Sequence, residues 1–411
     1  MGTFLYQKKF KLHIIYYHQH FSTPDGSVGT RSYEFSKVLI ERGHKVTVVT
    51  GRNSRSKINI EGKFKRNKRI GYVDGIRIIE INIDYKNSFS FFKRIFSFLY
   101  FSIIGIQIAL KEDYDIIVAT STPLTAGIPG IFAKLFRKKV FVFEVRDLWP
   151  ELPKAMGVIK NPIILIILDF LERSTYYFSN FCIGLSPGIV DGIKKKSPKK
   201  KVYMIPNSCD FQLVNNNISL NKKNKFIAAF TGAHGRANGL DSVLNAASIL
   251  LDRNIENIEI QFIGEGLVKQ ELIIQAENKK LTNCKFLNPM PKKILFKYLK
   301  ENIDLGLMIL DNIPAFYYGT SPNKFFDYIS AGLPVINNYP GWLAEIIKEN
   351  NCGYIVKPGD PIGFANALEA ASTNSKLCEM GSNSKDLAIN MFNRKVLARK
   401  WVDTIEKIYL N

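Results

Sequence analysis

With 411 residues, 46% of them hydrophobic, and ordinary glycine and proline counts, the chain is globular and too long for one core, which excludes a disordered or collagen-like protein. Its net charge of +21 is lopsided: residues 1–210 hold 34 Lys and Arg against 17 Asp and Glu, the remainder 23 against 19. Five scattered cysteines without a C-x-x-C pair exclude a disulfide framework and a zinc cluster, and point to a reducing compartment.

The first predicted strand spans 11–17. Lys8, Lys9 and Lys11 precede only its short apolar run, so this end reads as a strand and not as a secretion signal. The turn Pro24-Asp25-Gly26-Ser27-Val28-Gly29-Thr30-Arg31 follows and opens a helix. Gly26 and Gly29 let backbone amides approach a ligand, and Arg31 adds charge; His18 and His20 stand just before the turn. Neither G-x-G-x-x-G nor G-x-x-x-x-G-K-[ST] is present, which argues against a nicotinamide or flavin cofactor and against a nucleoside triphosphatase.

Strands are predicted at 45–50 and 76–81. Segment 89–110, which follows the basic stretch 57–69, is an aromatic-rich apolar helix interrupted by Lys93 and Arg94. Ser97, Ser102 and Gln107 break the uninterrupted run that a spanning helix needs. The combination suits a helix lying in the membrane interface, though the same apolar content also suits core packing.

Strands at 116–119 and 140–144 come next. The second runs into Glu144-Val145-Arg146-Asp147-Leu148-Trp149-Pro150-Glu151, where carboxylates can hold hydroxyls while an indole face stacks on a sugar ring. After strands at 181–185 and 202–205, the Asn- and Lys-rich stretch 215–225 is the expected linker. A second series follows at 226–231, 258–263, 284–286, 305–308, 335–337 and 353–355. Short β-branched runs alternating with helical patterns predict an α/β protein of two doubly wound, Rossmann-like domains, 1–210 and 211–390, facing across a cleft.

The second domain carries three candidate turns. Gly232, Gly235 and Arg236 follow its first strand, and Gly264-Glu265-Gly266 follows its second and is read as the nucleoside side. Arg236 can make bidentate contacts to a diphosphate. The third turn, Ser321-Pro322-Asn323-Lys324, opens a helix predicted to have Ser321 as N-cap, Pro322 in first position and Gly332 at the C-terminal cap. Lys324 would sit beside a phosphate at that helix end, and Asp327 would accept hydrogen bonds from ribose hydroxyls. There is no H-E-x-x-H, Cys/His cluster or D-x-D, so no metal and no cofactor is expected; G-x-S-x-G is absent too.

Taken together these turns resemble the GT-B glycosyltransferases of family 4, over nearly the whole chain. The look is nearest to the WbuB-like subgroup of bacterial surface polysaccharide synthesis. Arg146-Asp147-Leu148-Trp149-Pro150-Glu151 looks like its R-D-L-W-P-E block, Ser321-Pro322-Asn323-Lys324 like its S-P-N-K, and Ile205-Pro206-Asn207-Ser208-Cys209-Asp210 like the interdomain I-P-N-G-V-D. The resemblance implies retaining transfer of a sugar from a nucleotide donor, UDP by preference and the sugar an N-acetylated amino sugar, without a metal. It implies a polyprenyl-diphosphate-linked saccharide acceptor, a place in O-antigen or capsule synthesis, and peripheral attachment at the cytoplasmic membrane face. It also implies that residues 391–411 form a helix crossing back onto the first domain.

In this resemblance Arg236 and Lys324 hold the diphosphate, with Asp147 a third catalytic candidate. Gly29, Gly232, Gly235, Gly264, Glu265, Ser321, Asn323 and Asp327 take the donor side; His20, Arg31, Arg146, Trp149 and Glu151 take the acceptor side. The family's Glu-x7-Glu pair reads Gly319 and Asp327, and its usual Lys before the diphosphate glycine is Asn238, leaving Arg236 and Lys324 to neutralise charge. A nucleotide-sugar 2-epimerase shares the architecture, but the R-D-L-W-P-E block does not resemble its pattern. An inactive glycosyltransferase-like partner protein is the third reading. A nucleic-acid binder would need a stacking platform or groove-reading motif, and neither is recognised.

Overall fold

The computed structural model describes residues 11–53, 56–86, 89–210 and 225–410. Lys8, Lys9 and all but the last residue of the expected linker 215–225 lie outside them. The first lobe is built on eight strands: β1 (His13–Tyr17), β2 (Lys45–Asn53), β3 (Lys68–Val73), β4 (Ile76–Tyr85), β5 (Ile116–Thr120), β6 (Val140–Val145), β7 (Phe181–Gly184) and β8 (Val202–Met204). They lie in the order β3-β4-β2-β1-β5-β6-β7-β8, parallel throughout except for the β3–β4 pair.

Strand alternation divides the lobe into two cores. Ile14 and Tyr16 face one way, towards α1 (Arg31–Glu41); Ile15 and Tyr17 face the other. That second face is covered by α2 (Phe91–Lys111), α3 (Ile128–Arg137), α5 (Pro162–Phe178) and α6 (Pro187–Lys196), with the short α4 (Glu151–Ala155) after β6. β3 was not anticipated. It alternates exposed Ile70 and Tyr72 with partly buried neighbours at the edge of the sheet, so it lacks the apolar run of a buried strand. The Asp74-Gly75 dipeptide that turns it into β4, both residues at positive φ, was the available signal.

The second lobe has a parallel sheet of six strands in the order β11-β10-β9-β12-β13-β14. They are β9 (Phe226–Ala233), β10 (Ile258–Glu265), β11 (Cys284–Leu287), β12 (Leu305–Met308), β13 (Val335–Asn337) and β14 (Gly353–Ile355). Its helices are α7 (Asp241–Asp252), α8 (Lys269–Asn278), α9 (Lys292–Asn302), α10 (Ala315–Gly319), α11 (Asn323–Ser330), α12 (Trp342–Glu349), α13 (Pro361–Thr373) and α14 (Leu377–Met391).

The last helix, α15 (Arg394–Leu410), leaves the second lobe and packs on α1 of the first. Trp401 is fully buried there, its ring 5.8 Å from Tyr16 and 5.2 Å from Phe35, while Glu406 bonds both Arg42 and His44. At the root of α15, Arg394 reaches Glu34 at 3.1 Å and Asp210 at 2.8 Å. The lobes also touch at Gly188, where a Cβ would stand 2.6 Å from the Tyr318 backbone. These contacts hold the carboxyl ends of both sheets towards a shared crevice, the place where open α/β sheets bind ligands.

Candidate active site

Between the lobes lies an open pocket of about 270 Å³, near the small end of the range for ligand-binding clefts. Ser27, Val28 and Gly29 line it from the turn before α1. Gly232, at the end of β9, faces them together with Lys292 of α9 and Asn323, Lys324 and Asp327 of α11. Residues almost 300 positions apart in sequence thus share one space.

Lys324 lies on the first turn of α11, where unbonded backbone N–H groups and the positive dipole end favour an anion. Its Nζ donates to Asn238 Oδ1 at 2.7 Å and sits 4.0 Å from the centre of the Phe230 ring. Burial pushes the ammonium down to about 7, because the low-dielectric surroundings disfavour its charge. Its Cε lies 3.9 Å from where a Cβ on Gly232 would stand, so a glycine at that positive-φ position keeps the approach open. Asp327, one helical turn along, is held by Lys292 Nζ at 2.9 Å. Lys292 was missed: in Pro-Lys-Lys it reads as a solvated helix start, although it follows a strand of the cleft-forming sheet. The pocket therefore pairs the expected Lys324 with a second cation, Lys292, that sequence reading did not single out.

Gly29 and Asn323 bring the lobes together. A Cβ on Gly29 would stand 2.9 Å from the Asn323 amide and 3.9 Å from an Arg146 guanidinium nitrogen. Arg146 is itself aimed by His18, whose Nε2 accepts from Nη1 at 3.2 Å while Nδ1 lies 2.6 Å from Ser32 Oγ. Burial first, then the neighbouring guanidinium, hold His18 well below the usual imidazole range, so it stays neutral and orients Arg146 through one fixed tautomer.

Several expected roles are corrected. Ser321 does not cap α11: Pro322 takes that position, and Ser321 instead accepts at Oγ from Asn207 N and at its carbonyl from Asn207 Nδ2 at 2.6 Å. It fastens the interdomain segment to the helix start. Arg31, expected on the acceptor side, is engaged inside the first lobe. It is buried, with Nε and Nη2 on Glu144 Oε2 and further donations to the carbonyls of Ile205 and Pro206. Gly264 belongs to β10 and pairs with Gly232, whose carbonyl leaves no room for a side chain there. Glu265 is exposed and accepts from Gly266 N and Lys269 Nζ.

The remaining candidates scatter around the pocket. Arg236 is exposed on the turn that Lys324 fastens through Asn238, and among the described residues no side-chain partner is assigned to it. Gly235, beside it, has open space where a Cβ would go. Asp147 accepts from Thr122 Oγ1 at 2.9 Å, and burial raises its pKa. Trp149 packs on the apolar core below, and Glu151 is exposed at the start of α4. His20 packs 4.5 Å from the Tyr85 ring, towards α2.

Comparison with known proteins gives two family matches. Residues 28–213 match "Glycosyltransferase Family 4", and residues 213–386 match "Glycosyl transferases group 1". Among solved structures, the chain is similar to a sucrose-phosphate synthase of Thermosynechococcus elongatus (TM-score 0.76, 15% identity, 97% of this chain and 99% of the other). It is similar to HepE of Anabaena solved with UDP and glucose (TM-score 0.67, 15% identity, 96% and 99%). It is also similar to WaaG, a glycosyltransferase of lipopolysaccharide biosynthesis (TM-score 0.67, 16% identity, 95% and 99%). No curated protein sequence matches the chain.

Proposed function

The chain is a glycosyltransferase of the GT-B fold, its two halves matching glycosyltransferase family models, and from that premise we propose that it moves a sugar from a UDP-sugar to a lipid-linked saccharide. The pocket shared by Gly29, Gly232, Lys292, Asn323, Lys324 and Asp327 is the observation that carries the reading. It offers cations and a helix N-terminus to a diphosphate, and a carboxylate one turn away to ribose. The fold shared with HepE, solved with UDP and glucose, supports UDP as the leaving group.

In this reading the transfer retains anomeric configuration. The bond from the anomeric carbon to the diphosphate oxygen breaks, and a bond from that carbon to the acceptor oxygen forms on the same face. The acceptor hydroxyl proton passes to the departing phosphate oxygen. Lys324, Lys292 and Arg236 stabilise the growing negative charge without a metal ion. Arg146, aimed by His18 towards Gly29 and Asn323, holds the acceptor side of the cleft.

The donor sugar is read as an N-acetylated amino sugar and the acceptor as a polyprenyl-diphosphate saccharide of O-antigen or capsule synthesis, met at the cytoplasmic face of the membrane. Those assignments rest on the R-D-L-W-P-E and S-P-N-K blocks and the basic first lobe. A panel of UDP- and GDP-sugars incubated with a lipid-diphosphate saccharide, read by product mass and anomeric configuration, tests them. A single UDP-sugar giving an α-linked product from an α-donor is the expected result. Inversion, or epimerisation of the donor without transfer, would overturn the reading.

A further inference from the structure

We propose that the outer face of the α2–α3–α5 layer is a docking surface for an anionic lipid bilayer, broader than the single helix that sequence reading singles out. The three helices cover the same face of the first sheet: Phe101 and Ile108 of α2, Ile131 of α3 and Tyr176 of α5 all join one core beneath them. α3 packs on both α2 and α5, so the layer is continuous. Its outer side is apolar where a soluble surface would be polar.

On α2, Phe92, Phe96, Leu99 and Ile103 follow one another at helical spacing, with Phe92 80% exposed and Phe96 60%. On α5, Ile163, Ile166, Ile167 and Phe170 do the same, Ile166 being 69% exposed and Phe170 71%. Leu135 and Phe136 of α3 stand exposed between them. Exposed apolar side chains gathered on one layer of packed helices mark an interaction site.

Charge selects the occupant. Every charged residue within α2 and α3 is basic: Lys93, Arg94 and Lys111 on the first, Lys134 and Arg137 on the second. On α5, Asp169 and Glu172 are balanced by two cations, Lys196 bridging both and Arg173 pairing with Asp169 at 2.6 Å. Exposed aromatic and aliphatic side chains with cations and no free carboxylate match the boundary between headgroups and acyl chains of an anionic membrane. A second copy of the same face would bring like charges together.

The surface is also placed for the cleft. α2 leaves the carboxyl end of β4, with Ser97 Oγ donating to the Asp84 carbonyl at 3.0 Å, and α5 follows the Arg146–Glu151 block at the carboxyl end of β6. Phe92, Phe96, Ile163 and Ile166 therefore lie on the cleft-side halves of their helices. This inference rests on the lipid-acceptor reading above and gives it an orientation: the crevice opens at the bilayer surface, where a lipid-anchored saccharide presents its headgroup.

The test is co-sedimentation of the full chain with phosphatidylglycerol–phosphatidylcholine vesicles and with pure phosphatidylcholine vesicles. The wild type should pellet with the anionic vesicles and largely escape the neutral ones. Ile166→Glu/Phe170→Glu, and separately Phe96→Ser/Ile167→Ser, should each lower the bound fraction by roughly tenfold, with thermal melting and UDP binding unchanged. Wild-type protein that ignores anionic vesicles, or variants that bind them as well as wild type, would overturn the proposal. So would a dimer in light scattering that these substitutions dissolve, since the face would then belong to a second copy. Transfer to a detergent-solubilised lipid acceptor separates the two readings: its loss indicts the acceptor assignment, whereas its survival without vesicle binding indicts only this surface.

Discussion

Lys324 Nζ donates to Asn238 Oδ1 at 2.7 Å, and that neutral amide stands where the resembling family carries a second cation. With burial pushing Lys324 down to about 7, this ammonium is only partly charged at neutral pH. A bound diphosphate must raise that value, so binding takes up a proton. UDP affinity should be constant below pH 7 and fall as pH rises through about 7 towards the higher value of the complex. Lys324→Arg, charged at every accessible pH, should flatten the profile in calorimetric titrations.

Lys292 and Asp327 form an ion pair inside the pocket at 2.9 Å. If Lys292 also serves the diphosphate, Lys292→Met should weaken UDP binding by roughly 10- to 100-fold, the range for losing one charged hydrogen bond. Asp327→Asn should weaken UDP binding while sparing inorganic pyrophosphate, because its loss falls on ribose. Equal losses for both ligands would place Asp327 elsewhere.

Gly29 keeps a gap that a side chain would fill. Alanine there presses only on the movable Asn323 amide, Arg146 lying at ordinary contact distance, so Gly29→Ala should be mild. Gly29→Val should lower kcat/KM by about 100-fold with little change in melting temperature, since it blocks the pocket and not the core. Steady-state kinetics beside a thermal melt separates the two effects.

Arg31 and Glu144 are buried together, and removing one partner leaves a charge stranded. Arg31→Met should cost about 3–5 kcal/mol of stability, seen as a lower urea midpoint. Arg236→Ala should instead leave stability intact and reduce turnover by ~100-fold, as expected for a group that meets charge only as the leaving group departs.

Much of the architecture was legible because parallel strands between helices read as short apolar runs, and among the described residues all but one strand announced themselves that way. β3 did not, since at the sheet edge it alternates exposed Ile70 and Tyr72 with partly buried residues, and only Asp74-Gly75 betrays the hairpin. The site was legible where chemistry is local: Asn323, Lys324 and Asp327 share one helix, so their common pocket followed from spacing. It was illegible where burial decides. A cation beside a glycine turn looks the same whether it meets substrate or a carboxylate 113 positions away, as Arg31 meets Glu144. Ser321 looks like a cap until Asn207, 114 positions away, claims its hydroxyl.

The central claim is that a nucleoside diphosphate sits between Gly29 and Lys324. Calorimetric titration with UDP in a metal-chelating buffer, comparing wild type with Lys324→Met and Gly29→Val, tests it most directly. One site, weakened at least ~10-fold by either substitution, is the predicted result. UDP that fails to bind without a divalent metal, or that binds both variants as it binds wild type, would contradict it.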